Sequence, residues 1–440
     1  MPDLQTPPDQ REAQVVAPEE GDPRVASRGA LKGRLLVVAA IVLVALNLRT
    51  AVTSVAPVLG DLRDDLGLST TGAGILGMLP PFAFAVFGAV TPVVIRRLGL
   101  ERTAVLTMVL TFLGQGLRAV APESISFLLL SLLALGGMGM GNVVLPPLVK
   151  RYFPDRIGSV TAAYVLVMQL GTAVPPLLAV PVANAAGWRV SIGQWAALAV
   201  VAAVPWVLLA ARARRDAPVA GTGTAHPHVP VRALLTSRVA WGLAALMGIT
   251  SLNTYALFAW LPEIFVDAGL SPAAGGSLLS LFAAVGLPMA VLIPWSASRM
   301  RNPFPIVVVC LVAYVVSYLG LALAPAAAPV LWTVFAGIAP ASFPLSLALV
   351  NLRSRSHEGS AALSGFAQGV GYLVAGLGPL VVAALRETTG GWKVPMFFLL
   401  ATLVPQVVGG FIISRPRMVE DDVRPVLRRP ADTATNTLDR

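Results

Sequence analysis

Apolar runs of about twenty residues, the length that crosses a ~30 Å hydrocarbon layer as a helix, recur along most of the chain, each closed by a short cluster of charged, Pro or Gly residues. Windowed hydropathy predicts twelve such helices: 35–58, 72–95, 103–120, 125–148, 159–182, 190–211, 239–262, 273–296, 304–323, 329–350, 360–384 and 394–414. The polar ends, 1–33 and 415–440, have the composition of disordered tails, and 212–238, with Arg, Pro, Gly and Thr, that of a linker. The expectation is an all-α membrane protein with six-helix bundles at 34–211 and 239–414. A cleaved signal peptide is disfavoured, because the first apolar run is long and begins late.

Composition supports the membrane class: 56% of the 440 residues are hydrophobic and 12% charged, and the mean hydropathy is +0.77, whereas soluble domains carry roughly 25% charged residues. The net charge of +10 is a topology signal rather than a nucleic-acid footprint, because the basic residues cluster in short loops. Of the 32 Lys and Arg, 26 fall on the side that carries both termini, five (Arg63, Arg118, Arg189, Arg386, Lys393) fall on the other, and Arg49 lies inside a span. That split predicts cytoplasmic termini in a cell inner (plasma) membrane. The single cysteine, Cys310, excludes an internal disulfide and a cysteine metal cluster.

The halves echo each other. Gly67-Leu68-Ser69 returns as Gly269-Leu270-Ser271, Gly187-Trp188-Arg189 as Gly391-Trp392-Lys393, and Arg151 as Arg355, at offsets of 202 to 204. Parallel six-span repeats characterise the major facilitator architecture, in which a midplane site lies between two rocking bundles.

Arg49 is the residue that calls for chemistry. In a straight first span it would lie ~21 Å from one edge and ~14 Å from the other, beyond the reach of snorkelling. A charge at that depth costs at least ~2.5–3.5 kcal/mol and marks an anion contact or a water-filled path; the alternative is a structural arginine held by helix carbonyls or by neighbouring Asn and Gln. The planar guanidinium fork suits carboxylate and nitro groups. The 204-residue offset maps Arg49 onto Asn253, with Tyr255 close by and Trp260 read as an interfacial anchor. Asn47, Asn142 and Gln169 are the other polar groups at depth in the first half, and Ser364, Gln368 and Tyr372 form a stripe at four-residue spacing on one helix face. Such a stripe is expected to face a cavity rather than lipid.

No Asp, Glu or His occupies the middle of a span, so a buried carboxylate proton relay has no evident seat. Glu263, at the outer end of the seventh span, is the candidate for proton coupling, with a solvated loop carboxylate as the alternative. No Walker loop, catalytic triad or metal-ligand cluster is present, so no enzyme activity, cofactor or metal is expected. The glycines of Gly136-Gly137-Met138-Gly139-Met140-Gly141-Asn142 read as close helix packing.

Several stretches together resemble the cyanate and nitroimidazole transporter family of the major facilitator superfamily: LNLRTAVTSVAPVL (46–59), IRRLGLERT (95–103), GNVVLPPLVKRYFPDRIG (141–158), FAWLPEIFVDAGLS (258–271) and LSGFAQGVGYLVAGLGPLV (363–381) with GGW (390–392). The resemblance covers the membrane region and neither tail. It implies alternating-access transport of a small anionic or dipolar solute by a monomer in the lipid bilayer, with protons as a candidate coupling ion. Arg49, Asn47, Asn142, Gln169, Asn253, Tyr255, Ser364, Gln368 and Tyr372 are the expected substrate contacts. The loop after the second span, with Arg96, Arg97 and Arg102, looks like a degenerate form of the superfamily's Gly-x-x-x-Asp-Arg-x-Gly inner-gate signature; Arg96 stands where the Asp is expected, so that gate's ion pair does not carry over. The alternatives are a drug or metabolite exporter of the same fold, expected to have a more aromatic cavity, and a non-transporting membrane sensor, which would be expected to carry a soluble output domain.

Overall fold

The computed structural model describes residues 23–213, 231–355 and 357–422. Among them the regular structure is entirely helical: α1 (Pro23–Asn47), α2 (Thr50–Thr53), a 3-10 turn (Ala56–Val58), α3 (Leu59–Leu66), α4 (Thr70–Leu98), α5 (Leu100–Arg118), α6 (Ser124–Tyr152), α7 (Ile157–Ala186) and α8 (Trp188–Ala213). The second half follows with α9 (Val231–Leu234), α10 (Arg238–Asp267), α11 (Pro272–Ala297), α12 (Phe304–Leu323), α13 (Pro329–Ile338), a second 3-10 turn (Ala339–Ala341), α14 (Ser342–Leu352), α15 (His357–Thr389) and α16 (Lys393–Ser414). Residues 214–230 of the expected linker and most of both expected tails lie outside the described residues. Helix α1 starts at Pro23, inside the segment expected to be disordered. Residues just past Ser414 are also held: Val419 N–H donates to the Arg353 carbonyl, and Arg355 pairs with Asp421 at 2.6 Å.

Among the described residues eleven helical segments are apolar and long enough to cross a membrane. The twelfth crossing is α5, 19 residues long. It is less apolar because Thr103, Thr107, Thr111, Gln115 and Arg118 line one buried face. Spans one and ten, each expected as a single helix, are both broken: α1–α3 form the first and α13–α14 the tenth.

The sequence echo has a structural counterpart. Gly67 (φ 62°) and Gly269 (φ 94°) hold the left-handed turns that only glycine adopts freely. Ser69 and Ser271 then cap α4 and α11 by accepting from the N–H groups of Gly72 and Ala274. Arg151 pairs with Glu101 as Arg355 does with Asp421. Asp65 meets Trp188 and Arg189 in one half, and Asp267 meets Trp392 and Arg386 in the other.

The halves touch mainly at the end opposite the chain termini. There Arg63 pairs with Glu263, Thr71 donates to Glu387 at 2.9 Å, and Ser280 donates to the Ala173 carbonyl. Glycines bring the helices together: a Cβ on Gly74 would press on Ala383 and Pro379, and one on Gly276 would lie 2.6 Å from the Pro176 carbonyl. Facing helices α7 and α11 bury residues chiefly in these same portions, Gly171–Val180 and Gly275–Ala283; nearer the terminal end only Tyr164 and Ala297 are buried. The bundle is therefore shut at the far end and open toward the end that carries the termini.

Candidate functional site

The first span breaks at Leu48 and Arg49 although no Gly or Pro stands there. Gly171 of α7 lets the two backbones approach so closely that a Cβ would collide with the Leu46 carbonyl. Hydroxyls take over backbone groups: Thr50 donates to the Asn47 carbonyl at 3.1 Å, and Thr53 to that of Thr172 at 2.9 Å. Arg49 lands at φ −127°, ψ −9°, outside the helix, with its side chain directed among aromatic rings.

The guanidinium carbon lies 4.9 Å from the centre of the Phe84 ring, a cation–π contact. Phe84 meets Tyr372 edge-on at 6.3 Å, and Tyr255 meets Phe258 edge-on at 6.1 Å. Tyr255, Tyr372 and Phe258 pack with Phe84 and Leu48 in one cluster beside Arg49. Helices α4 and α15, from opposite halves, and α10 thus supply one wall each. The Nη1 group of Arg49 is buried and has no hydrogen-bond partner, and two residues earlier the Asn47 Oδ1 is buried and unpaired as well, while its Nδ2 donates to the Leu43 carbonyl. No carboxylate pairs with Arg49 among the described residues. The arrangement is a cation among aromatic walls with hydrogen-bonding capacity unused.

The structure brings Arg49, Asn47, Tyr255 and Tyr372 together. Asn142 adjoins them: it follows Gly141, whose bare face receives Leu48 from the break, and its amide donates to Met138 at 3.1 Å. Gln368 donates to Ser364 at 2.7 Å on the face that continues to Tyr372, all three half-buried. Gln169 is half-buried, with its Nε2 beside Gly286 where α7 faces α11. Asn253 is turned into the second half: it is fully buried, donates to the Ile249 carbonyl and Thr402, and accepts from Tyr318 at 2.7 Å, so its hydrogen bonds are spent there. Trp260 is not an interfacial anchor, since it is 1% exposed and donates to the Pro379 carbonyl at 3.0 Å.

Glu263 is no solvated loop carboxylate. It lies in α10, its side chain 14% exposed, and accepts both Nη groups of Arg63 at 2.6 and 3.2 Å, a two-pronged bridge between the halves. Arg96, Arg97 and Arg102 are exposed at the terminal end. The buried acid of that loop is Glu101, which pairs with Arg151 at 3.2 Å and accepts from Tyr152 at 2.7 Å. Sequence reasoning passed over Glu101, and it placed Arg118 in an outer loop. Arg118 is in fact fully buried, and the signal for it was the polar residues at 103, 107, 111, 115 and 118 repeating on one helix face.

With this geometry in hand, comparison with known proteins defines the class. Residues 40–379 match the Major Facilitator Superfamily. The chain is 33% identical over 384 residues to "Uncharacterized transporter YycB" of Bacillus subtilis (strain 168), covering 86% of this chain and 93% of that one. It is 31% identical over 390 residues to the 2-nitroimidazole transporter of Escherichia coli (strain K12), covering 88% and 98%, and 31% identical over 365 residues to the cyanate transport protein CynX of the same organism, covering 81% and 92%. Among solved structures it superposes on the inward-open xylose transporter XylE of E. coli with a TM-score of 0.68 at 12% identity, covering 89% and 99%, a likeness of fold. The protein is a multi-pass secondary transporter with the major facilitator fold, not an enzyme. It belongs to the Major Facilitator Superfamily and, within it, to the family of the cyanate and 2-nitroimidazole transporters.

Proposed function

We propose that the protein moves a small anionic or dipolar solute, cyanate-like or nitroimidazole-like, across the plasma membrane by alternating access. The observation that carries this reading is Arg49: a half-buried side chain whose Nη1 is buried and unused, no carboxylate partner among the described residues, and aromatic walls from both halves. The negative end of the solute meets the Arg49 fork, its π face or polar edge meets Phe84, Tyr255 and Tyr372, and Ser364 and Gln368 line the approach. Rocking of the halves then breaks the Arg63–Glu263 bridge at the far end and closes the terminal end. Glu263 is the proposed coupling group, since protonation would remove its charge from that bridge. Both termini are assigned to the cytoplasm on the basic-residue split, and the working unit is a monomer.

The four aromatic residues around Arg49 also favour a second reading, an exporter of larger aromatic drugs or metabolites. A thermal-shift screen of the purified protein against cyanate and other small anions, nitroheterocycles and hydrophobic cationic drugs separates the two. Stabilisation by the first two groups alone supports the proposal; stabilisation by the drugs alone overturns it.

A further inference from the structure

The far portion of the first half contains a fully buried guanidinium that the Arg49 reading does not use. Arg118 closes the polar face of α5 and is fully buried, as is Gln115 one turn before it. Of the five donors on Arg118, Nη2 makes a single long contact, 3.5 Å to the Ser54 hydroxyl, while Nε and Nη1 have no partner. The Phe127 ring centre lies 5.9 Å from the guanidinium carbon. Both polar atoms of the Gln115 amide are orphaned too, and so is the hydroxyl of Ser131. Ser131 belongs to the same layer, because α5 and α6 run antiparallel with Gly114 against Ala134 and Arg118 against Phe127. No carboxylate pairs with Arg118 among the described residues.

A buried cation with most of its own donors unused is an incomplete arrangement, because a desolvated charge persists only when paired and hydrogen-bonded. Space for the missing partner exists. A cavity of about 30 Å³, lined by Arg118, Val52, Val55, Tyr255 and Phe258 among others, adjoins the guanidinium. By the same measure a water needs roughly 10–15 Å³, so the cavity admits one small ion with little besides. Tyr255 and Phe258 border this cavity and also pack in one cluster with Phe84, Tyr372 and Leu48, beside Arg49.

We infer that Arg118, backed by Gln115, Ser54 and Ser131, forms a second binding site, for a small monovalent anion, in the cavity bordered by Tyr255 and Phe258. The occupant is either the transported anion, passed on from Arg49, or chloride held as a resident counter-ion. The first alternative rests on the proposed function; the site itself does not. Among the described residues Arg118 is the one charged group lining the cavity and the other walls are chiefly apolar, so the site selects for charge and size rather than for shape.

The test uses the full-length wild-type protein, crystallised and soaked in sodium bromide. An anomalous peak within hydrogen-bond distance of Arg118 and Ser54 is expected, together with one at Arg49. A second soak in bromide plus excess cyanate identifies the occupant: loss of both peaks assigns the transported anion to the Arg118 site, and loss of the Arg49 peak alone assigns it chloride. A bromide peak at Arg49 with only water at Arg118 overturns the inference and leaves the proposed function standing. A peak at Arg118 with none at Arg49 supports the inference and counts against the Arg49 reading. In solution, excess broadening of the chloride-35 resonance by nanodisc-embedded protein should fall in Arg118→Gln and in Arg49→Gln, each retaining the contribution of the other site. Unchanged broadening in a folded Arg118→Gln protein would also sink the inference.

Discussion

Replacing Arg49 by Ala separates a substrate-contacting arginine from a structural one, because the two readings differ in sign for the empty protein. With no carboxylate partner, Arg49 contributes little beyond its contact with Phe84, which is worth ~0.5–2 kcal/mol. Removing a partly desolvated charge offsets that loss, so the melting temperature of ligand-free Arg49→Ala should stay within a few degrees of wild type. Binding should collapse instead. A bound anion makes charge-assisted hydrogen bonds to the fork, and breaking such a pair costs about 3–5 kcal/mol, or roughly two to three and a half powers of ten in Kd. Arg49→Lys keeps the charge and loses the planar fork, for a loss of about one to two powers of ten. The assay is thermal shift with cyanate and with 2-nitroimidazole, where a ligand at about 100 times its Kd stabilises by about 2.7 kcal/mol. An Arg49→Ala protein that melts far below wild type when empty, or that keeps the wild-type ligand shift, refutes the reasoning.

Three further outcomes follow, two from the packing between the halves and one from the basic-residue split. Glu263→Gln weakens the Arg63 bridge by about 1–3 kcal/mol, so a cysteine at Ala73 in a Cys310→Ser background should be labelled faster from outside the cell; a response of transport to an imposed pH gradient should also be lost, and its survival would leave the proton to the substrate. Gly74→Leu inserts a side chain where Ala383 and Pro379 now pack, which disfavours the closed far end by about 1–3 kcal/mol and should raise labelling at the same reporter; labelling equal to the parent would contradict that closure. A cysteine at Thr222 should resist an impermeant thiol reagent in intact cells, and rapid reaction there would reverse the assigned orientation.

The amphipathic and apolar pattern made most of this legible in advance, and the exceptions share a cause. Charge depth singled out Arg49 because desolvation is a property of position along a span. The break that presents its side chain was invisible, since Ala45-Leu46-Asn47-Leu48-Arg49 contains no helix breaker and the distortion comes from Gly171 of α7 pressing on the Leu46 carbonyl. Internal symmetry pointed to Asn253, but symmetry transfers a position and not its hydrogen-bond partners, and Tyr318 and Thr402 had already claimed that amide. Arg118 and Trp260 were read as interfacial from their closeness to span ends. Both are buried, because neighbouring helices pack over them: Phe127 of α6 lies against Arg118, and α10 runs on past Trp260 to Asp267 and packs against α15 at Pro379. Phe84, the ring under Arg49, carries no sequence signal at all, since one Phe in an apolar helix looks like any other.

Counterflow in proteoliposomes tests the central claim most directly. Vesicles containing the purified protein are preloaded with unlabelled cyanate, and in a parallel set with 2-nitroimidazole, then diluted into a trace of the labelled compound. The account predicts a transient overshoot of label for at least one of them, absent from empty vesicles and from vesicles containing Arg49→Ala. Overshoot of equal size with Arg49→Ala, or none for either compound from folded wild-type protein, would contradict it.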